Sequence, residues 1–165
     1  MENEKRIKCE DLFQLADKDI KDGYIEQAHK TLEDILKMDP TFGKAHNHLG
    51  WLYETKYQDY PKAEEHYKKA LELTPNYFSV YYNYAILLST LNRYDDLNKL
   101  LDKALQVPGI NKATIYNEYG IMFEQLEEYD LAIKNYQNAA KLTLDNAALD
   151  RYMNSIERCK KKLTL

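Results

Sequence analysis

Residues 49–57 read LGWLYETKY, and shortly after them residues 61–73 read PKAEEHYKKALEL. In both stretches apolar residues recur at i, i+3 or i+4 and i+7, which is typical of an α-helix with one buried face. We expect a first helix over about 42–56 and a second helix over about 61–73. Gly50 lies inside the first helix, where a glycine costs about 0.5–1 kcal/mol relative to alanine. Its position therefore needs a packing reason.

The residue at this position belongs to a repeated pattern. The recurring series are Ala16, Gly50, Ala85 and Gly120; Ala28, Ala63, Leu97 and Ala132; Leu32, Tyr67, Leu101 and Tyr136; and Ile35, Ala70, Ala104 and Ala139. Every step in these series is 34 or 35 residues long. Four series that share one period indicate a repeated structural unit.

Each unit is predicted to be a pair of antiparallel helices. Turn signals lie between the helices at Asp22–Gly23, at Asn92 and at Glu127. A small residue lets two helix axes approach more closely than the usual ~8–10 Å. We therefore expect Gly50 to pack against Ala63 and Ala70. No alternating β-branched run occurs in the sequence, so no sheet is predicted.

The pattern resembles the tetratricopeptide repeat, which has a Gly or Ala between large apolar residues in its first helix and a small–aromatic–small series in its second. Unit two matches at Leu49, Gly50, Tyr53, Ala63, Tyr67, Ala70 and the closing Pro75. Unit four matches at Tyr116, Tyr119, Gly120, Phe123, Ala132, Tyr136 and Ala139. The departures are Asp19 in place of an aromatic, Leu97 in place of a small residue and Leu144 in place of the last proline.

The resemblance implies an all-α fold, a right-handed superhelical solenoid of helix–turn–helix repeats. We expect one domain over residues 1–165, with repeats at about 9–42, 43–77, 78–112 and 113–146. A capping helix is predicted at about 146–163, with Asp145 or Asn146 as its N-cap. Its Leu149, Met153 and Ile156 are expected to cover the last exposed face of the array.

The resemblance also implies a concave face lined by residues of each first helix. The predicted groove residues are Phe13, Asp17, Asn47, His48, Trp51, Tyr82, Asn83, Ile86, Asn117, Glu118, Ile121 and Gln125. Trp51 is the best single anchor, because tryptophan and tyrosine dominate binding hot spots. The alternative is that Trp51 and Ile86 pack between neighbouring helices and are hardly exposed.

The charges of this face predict which ligands it disfavours. Its acidic residues are Glu10, Asp17, Glu54, Glu118 and Glu124, against the basic Lys21 and Lys44. Many proteins of the family hold acidic chaperone tails with a clamp of two lysines, two asparagines and an arginine. The clamp positions here hold Phe13, Asp17, His48, Ser79 and Asn83, or in the next frame Asn47, Trp51, Asn83, Thr114 and Glu118. Only Asn83 matches, so we expect a neutral, basic or apolar partner segment rather than an acidic tail.

Other functional classes have little support in the sequence. No nucleotide-binding or nucleophile motif occurs, so no cofactor and no enzyme activity are expected. His46 and His48 are two residues apart on a helix and point to different faces, and His29 and His66 are expected to face solvent, so no metal site is predicted. The net charge of −4 does not favour binding to nucleic acid or to a membrane surface. The absence of a secretory signal and of a cysteine pattern predicts a cytoplasmic protein.

The sequence thus leads to a hypothesis and two alternatives. The hypothesis is a non-enzymatic adaptor that binds an extended peptide or a partner helix in its concave groove. One alternative is RNA binding by a helical repeat, which requires a more basic groove than this one. The other is a scaffold that self-associates into a homo-oligomer.

Overall fold

The computed structural model describes residues 2–165, and all regular structure in this range is helical. The helices are α1 (Glu2–Asp22), α2 (Ile25–Met38), α3 (Gly43–Leu52), α4 (Tyr60–Leu73), α5 (Phe78–Thr90), α6 (Tyr94–Leu105), α7 (Lys112–Gln125), α8 (Tyr129–Leu142) and α9 (Asn146–Lys162). A π-helical turn over Tyr53–Tyr57 continues α3. The predicted all-α repeat fold is confirmed. No helix within residues 2–165 combines the length and the apolar character that a membrane span needs.

The chain divides into two compact units, Met1–Leu87 and Leu88–Leu165. In the first unit α1 pairs with α2 and α3 pairs with α4, while α2 also packs on α3. Buried residues of these helices form one core cluster, namely Cys9, Ala16, Leu32, Ile35, Phe42, Ala45, Leu49 and Leu52. In the second unit α7 packs on α6 and on α8, and α9 packs on α8.

The predicted turns between paired helices are confirmed at three places. The backbone adopts positive φ angles at Gly23 (86°), Asn92 (54°) and Glu127 (61°), which is the left-handed conformation that commonly ends a helix. In the second repeat this residue is Gln58, with a φ angle of 54°. A residue in the left-handed conformation therefore follows the first helix of each repeat.

The second repeat contains one residue more than the others between its paired helices. The left-handed residue follows the small residue of the first helix by seven positions in three repeats and by eight in the second, where Gln58 follows Gly50. The π-helical turn Tyr53–Tyr57 takes up this residue. The helix predicted over 42–56 is thus confirmed in extent, but its last turn is π-helical.

The small residues at the helix pairs make room for a ring. A Cβ atom at Gly50 would lie 2.7 Å from Cδ1 and Cε1 of Tyr67 and 3.2 Å from the carbonyl oxygen of Ala63. At Gly120 it would lie 2.5 Å from Cδ1 and Cε1 of Tyr136. The predicted contact of Gly50 with Ala63 is confirmed, but its nearest neighbour is the ring of Tyr67 rather than Ala70.

The last helix is capped as predicted but buries a different face. Oδ1 of Asp145 accepts hydrogen bonds from the backbone amides of residues 147 and 148, at 2.8 and 3.3 Å. The buried residues of α9 are Ala148, Tyr152, Ile156 and Cys159. The prediction was right for Ile156 and wrong for Leu149 and Met153, which are 36% and 52% exposed. An error of one residue rotates a side chain by about 100° around a helix, which explains the difference.

Candidate functional site

Five of the predicted groove residues line one cavity in the first unit. Its volume is about 310 Å³, at the lower end of the range for ligand sites. The predicted residues in its wall are Asp17, Asn47, His48, Trp51 and Asn83, and Ile20, Tyr77 and Ser79 complete it. The cavity is therefore built from α1, α3, the start of α5 and the residue that precedes it.

The polar wall of the cavity is held by hydrogen bonds between neighbouring repeats. The side-chain amide of Asn83 donates to Oδ1 of Asn47 at 3.2 Å, and Asn47 is 1% exposed. Nε2 of His48 lies 3.5 Å from Oδ1 of Asp17, whose Oδ2 accepts from Lys21 at 2.6 Å. Burial lowers the pKa of His48, and the hydrogen bond from Lys21 lowers the pKa of Asp17. At neutral pH the wall thus presents a neutral imidazole and an ionised carboxylate.

The aromatic residues of this face are partly exposed. Trp51 is half-buried and packs against the core cluster of the first unit, while Nζ of Lys56 lies 5.3 Å from its ring centroid. Phe13 is half-buried with its ring centroid 4.5 Å from that of His48. Trp51 therefore has contacts with both the core and the cavity.

The remaining predicted residues lie on α5 and α7. On α5, Tyr82 is half-buried and Ile86 is 53% exposed. In the second unit Asn117 donates to Oε1 of Glu118 at 3.3 Å, and burial raises the pKa of Glu118.

Two further predicted residues lie towards the end of α7. Ile121 is half-buried against the cluster of Ala132, Tyr136, Ile156 and Cys159. Gln125 is exposed and accepts a hydrogen bond from the hydroxyl group of Ser89 at 2.9 Å. Ile121 is therefore partly covered by the capping helix of the chain itself.

Sequence reasoning missed two tyrosine–glutamate pairs that lie at equivalent positions of the second and fourth repeats. Oη of Tyr67 donates to Oε2 of Glu54 at 2.6 Å, and Oη of Tyr136 donates to Oε2 of Glu124 at 2.9 Å. A signal for them exists in the sequence. Repeats two and four have a glycine in the first helix, a tyrosine in the second helix and a glutamate four residues after the glycine. Repeats one and three have alanine and leucine at the first two of these positions and no acidic residue at the third.

A histidine and tyrosine cluster on the opposite side of α3 corrects another prediction. Nδ1 of His46 lies 2.9 Å from Nδ1 of His66, and the ring of Tyr53 stacks on His66 with centroids 5.4 Å apart. His29 contacts Tyr57 through Nδ1 at 3.1 Å. His29 and His66 are half-buried, so the prediction that they face solvent is wrong.

Burial of the histidine pair changes its chemistry. Burial lowers the pKa of His66 to about 4, and the neighbouring His46 contributes a smaller part of this effect. Within the part of the chain that the structure describes, no three His, Cys, Asp or Glu side chains are grouped so that they could hold a metal ion. The pair is therefore a neutral contact inside the second helix pair at physiological pH.

Comparison with known proteins identifies relatives of the repeats. Residues 43–77 and residues 66–106 match two family models, both described as the tetratricopeptide repeat. The type IV pilus assembly protein PilF of Pseudomonas aeruginosa is 30% identical over 135 residues, which cover 81% of this chain and 50% of PilF. Hsp70-Hsp90 organizing protein 3 of Arabidopsis thaliana is 28% identical over 135 residues, which cover 81% of this chain and 23% of that protein.

Solved structures agree with this at the level of the fold. A structure of Pseudomonas aeruginosa PilF superimposes with a TM-score of 0.79 at 20% identity, and the match covers 94% of this chain and 78% of that one. The chain spans half or less of the length of the two relatives matched by sequence.

Proposed function

We infer that this chain, which belongs to the tetratricopeptide-repeat family, is a non-enzymatic adaptor that binds a segment of a protein partner. The segment is an extended peptide or a helix, and its proposed site is the face of the first unit around the cavity lined by Asp17, Asn47, His48, Trp51 and Asn83. The cavity at Trp51 is the observation that carries this proposal. It combines half-exposed aromatic surface with the half-buried side-chain amide of Asn83, and a peptide backbone needs such a donor and acceptor.

The chemistry of the face indicates the class of partner. A face that lacks the lysines and arginine of the chaperone clamp, in a chain with a net charge of −4, favours a neutral, basic or apolar segment over an acidic tail. The same charge balance makes nucleic acid and anionic membranes poor partners. The proposal includes no cofactor and keeps the cytoplasmic location, which agrees with two buried free cysteines.

The names of the relatives support a role in organising other proteins. One is described as an Hsp70-Hsp90 organizing protein and the other as a pilus assembly protein. Because the chain spans half or less of each, their particular partners are not transferred to it. What they support is the general role of an interaction module.

A peptide selection tests the proposal. A library of random peptides displayed on phage is selected on the immobilised protein, and the enriched peptides are measured by fluorescence anisotropy. Trp51→Ala is expected to weaken their binding by at least about tenfold, since anchor residues of this type carry most of the binding energy. Tyr24→Ala is the matched control, because it removes a 61% exposed aromatic ring outside the cavity. It is expected to bind as the wild type does.

Several outcomes contradict the proposal. Equal binding by wild type and Trp51→Ala shows that the cavity is not part of the binding site. Failure to enrich any peptide contradicts the proposed function itself. Tight retention of RNA on a filter at low salt favours the RNA-binding alternative. Light scattering that shows a stable homo-oligomer, in which these residues become protected, favours self-association.

A further inference from the structure

Two glutamates at equivalent positions of the second and fourth repeats have different surroundings. Glu54 and Glu124 each follow the repeat glycine by four positions. Each accepts a hydrogen bond from the tyrosine of the paired helix, at 2.6 Å for Tyr67 and 2.9 Å for Tyr136. The two sites therefore have the same acceptor and the same donor, held in the same way.

The site in the fourth repeat shows what such a carboxylate binds. Nε and Nη2 of Arg158 donate to the two carboxylate oxygens of Glu124, each at 2.7 Å, and Nζ of Lys162 donates to Oε1 at 2.9 Å. Both cations come from α9, and the Glu124 side chain is 11% exposed. The hydrogen bond from Arg158 is the main cause that lowers the pKa of Glu124 to about 2. The chain supplies the ligand of this site itself.

The site in the second repeat has the acceptor without the cations. Glu54 is half-buried, and its hydrogen bond from Tyr67 is the one polar contact of its carboxylate among residues 3–165. Lys56, the nearest lysine in sequence, lies over the ring of Trp51 instead. Burial raises the pKa of Glu54, and no neighbouring cation opposes that effect. A half-buried carboxylate with one hydrogen bond, here from Tyr67, is stabilised further when a cation joins it.

The location of Glu54 links it to the candidate binding surface. It follows Trp51 by three residues, so that the two side chains lie on adjacent turns of one helix. A partner segment that reaches Trp51 is therefore close to this carboxylate.

We propose that Glu54 and Tyr67 form a receptor for a lysine or arginine side chain of the bound partner. The partner segment then carries a basic residue next to the apolar group that Trp51 holds. The inference rests on the proposed function. The ion pairs of Glu124 with Arg158 and Lys162 in the same chain show how such a carboxylate binds a basic side chain.

The selected peptides described above test this inference. Peptides enriched on the wild type are expected to share a lysine or arginine at a fixed distance from an apolar residue. Selection on Glu54→Gln is expected to keep the apolar residue and lose the basic one. Gln keeps an oxygen that accepts the bond from Tyr67, so the fold is preserved, and thermal unfolding checks this. Glu72→Gln, which removes an exposed glutamate of α4, is the matched control for the change in charge.

Binding constants then separate the outcomes. Replacing the basic residue of one selected peptide by norleucine is expected to weaken binding to the wild type by about tenfold or more. The same replacement is expected to have little effect on binding to Glu54→Gln. Peptides that depend on Trp51 but show no basic preference overturn the inference and leave the proposed function standing. Enrichment of no peptide overturns both. A basic preference that survives in Glu54→Gln assigns the cation to another acid and also overturns the inference.

Discussion

Replacing Gly50 by alanine is expected to destabilise the protein, although alanine is the better helix former. The added methyl would lie 2.7 Å from two carbons of the Tyr67 ring, well inside the ~3.5–4.0 Å that carbon atoms prefer. That ring is fully buried, stacks on Tyr84 with centroids 5.7 Å apart and is tied to Glu54 through its hydroxyl group. It cannot move away without breaking one of these contacts.

The size of the effect follows from two opposing contributions. Overpacking a core costs about 1–3 kcal/mol, and the anchored ring places this site at the upper end. The greater helix propensity of alanine offsets roughly 1 kcal/mol. We therefore expect Gly50→Ala to lower the free energy of unfolding by about 2 kcal/mol, measured by urea denaturation followed by circular dichroism.

A double variant identifies the cause. Repeats one and three combine alanine with leucine, as in Ala16 and Leu32, which share one core cluster. Gly50→Ala combined with Tyr67→Leu should therefore be more stable than the sum of the two single changes predicts, by about 2 kcal/mol. Strict additivity, or a Gly50→Ala variant as stable as the wild type, would falsify the explanation that the glycine makes room for the ring.

Three further predictions concern stability. Glu124→Gln is expected to lower the free energy of unfolding by about 2 kcal/mol at neutral pH. Because the pKa of Glu124 is lowered to about 2, this difference is present above pH 4.5 and disappears as the pH falls to about 2. Melting temperatures of the two proteins that stay equally far apart over this pH range contradict the prediction. The pKa of His66 is also lowered, to about 4, so the wild type should lose stability as the pH falls from 6.5 to about 4. In the same pH titration of the free energy of unfolding, His66→Gln should lose less stability. Asp19 is 6% exposed, and its Oδ2 has no hydrogen-bond partner among residues 3–165. Asp19→Leu should therefore raise the free energy of unfolding by about 1 kcal/mol in urea, and a lower value refutes this.

The repeat fold is predictable from the sequence because its signals are periodic. The series that contains Gly50 and Gly120 fixes the register of each helix pair, and Asn92 and Glu127 mark turns that the structure confirms. Such signals survive because each repeat must meet its neighbour in the same way. The family and the order of the elements follow from this regularity.

What the sequence did not predict depends on non-periodic contacts. The pairing of His46 with His66 joins two helices through side chains that no repeat shares. On α9 the buried face differs from the predicted one because the last helix has no later repeat to set its phase. The ion pairs of Glu124 with Arg158 and Lys162 of α9 also join residues far apart in sequence. Each of these needs the three-dimensional packing to be seen.

The π-helical turn Tyr53–Tyr57 has a consequence for how this chain evolves. In an α-helix an inserted residue would swing every later side chain by about 100° and place Tyr67 out of reach of Gly50. The wide turn confines the insertion to five residues, and α4 resumes in phase. A variant that gains or loses one residue in this turn is therefore expected to change the surroundings of Trp51 while the other repeats keep their alignment. Homologues that differ in specificity are expected to differ in length at this turn first.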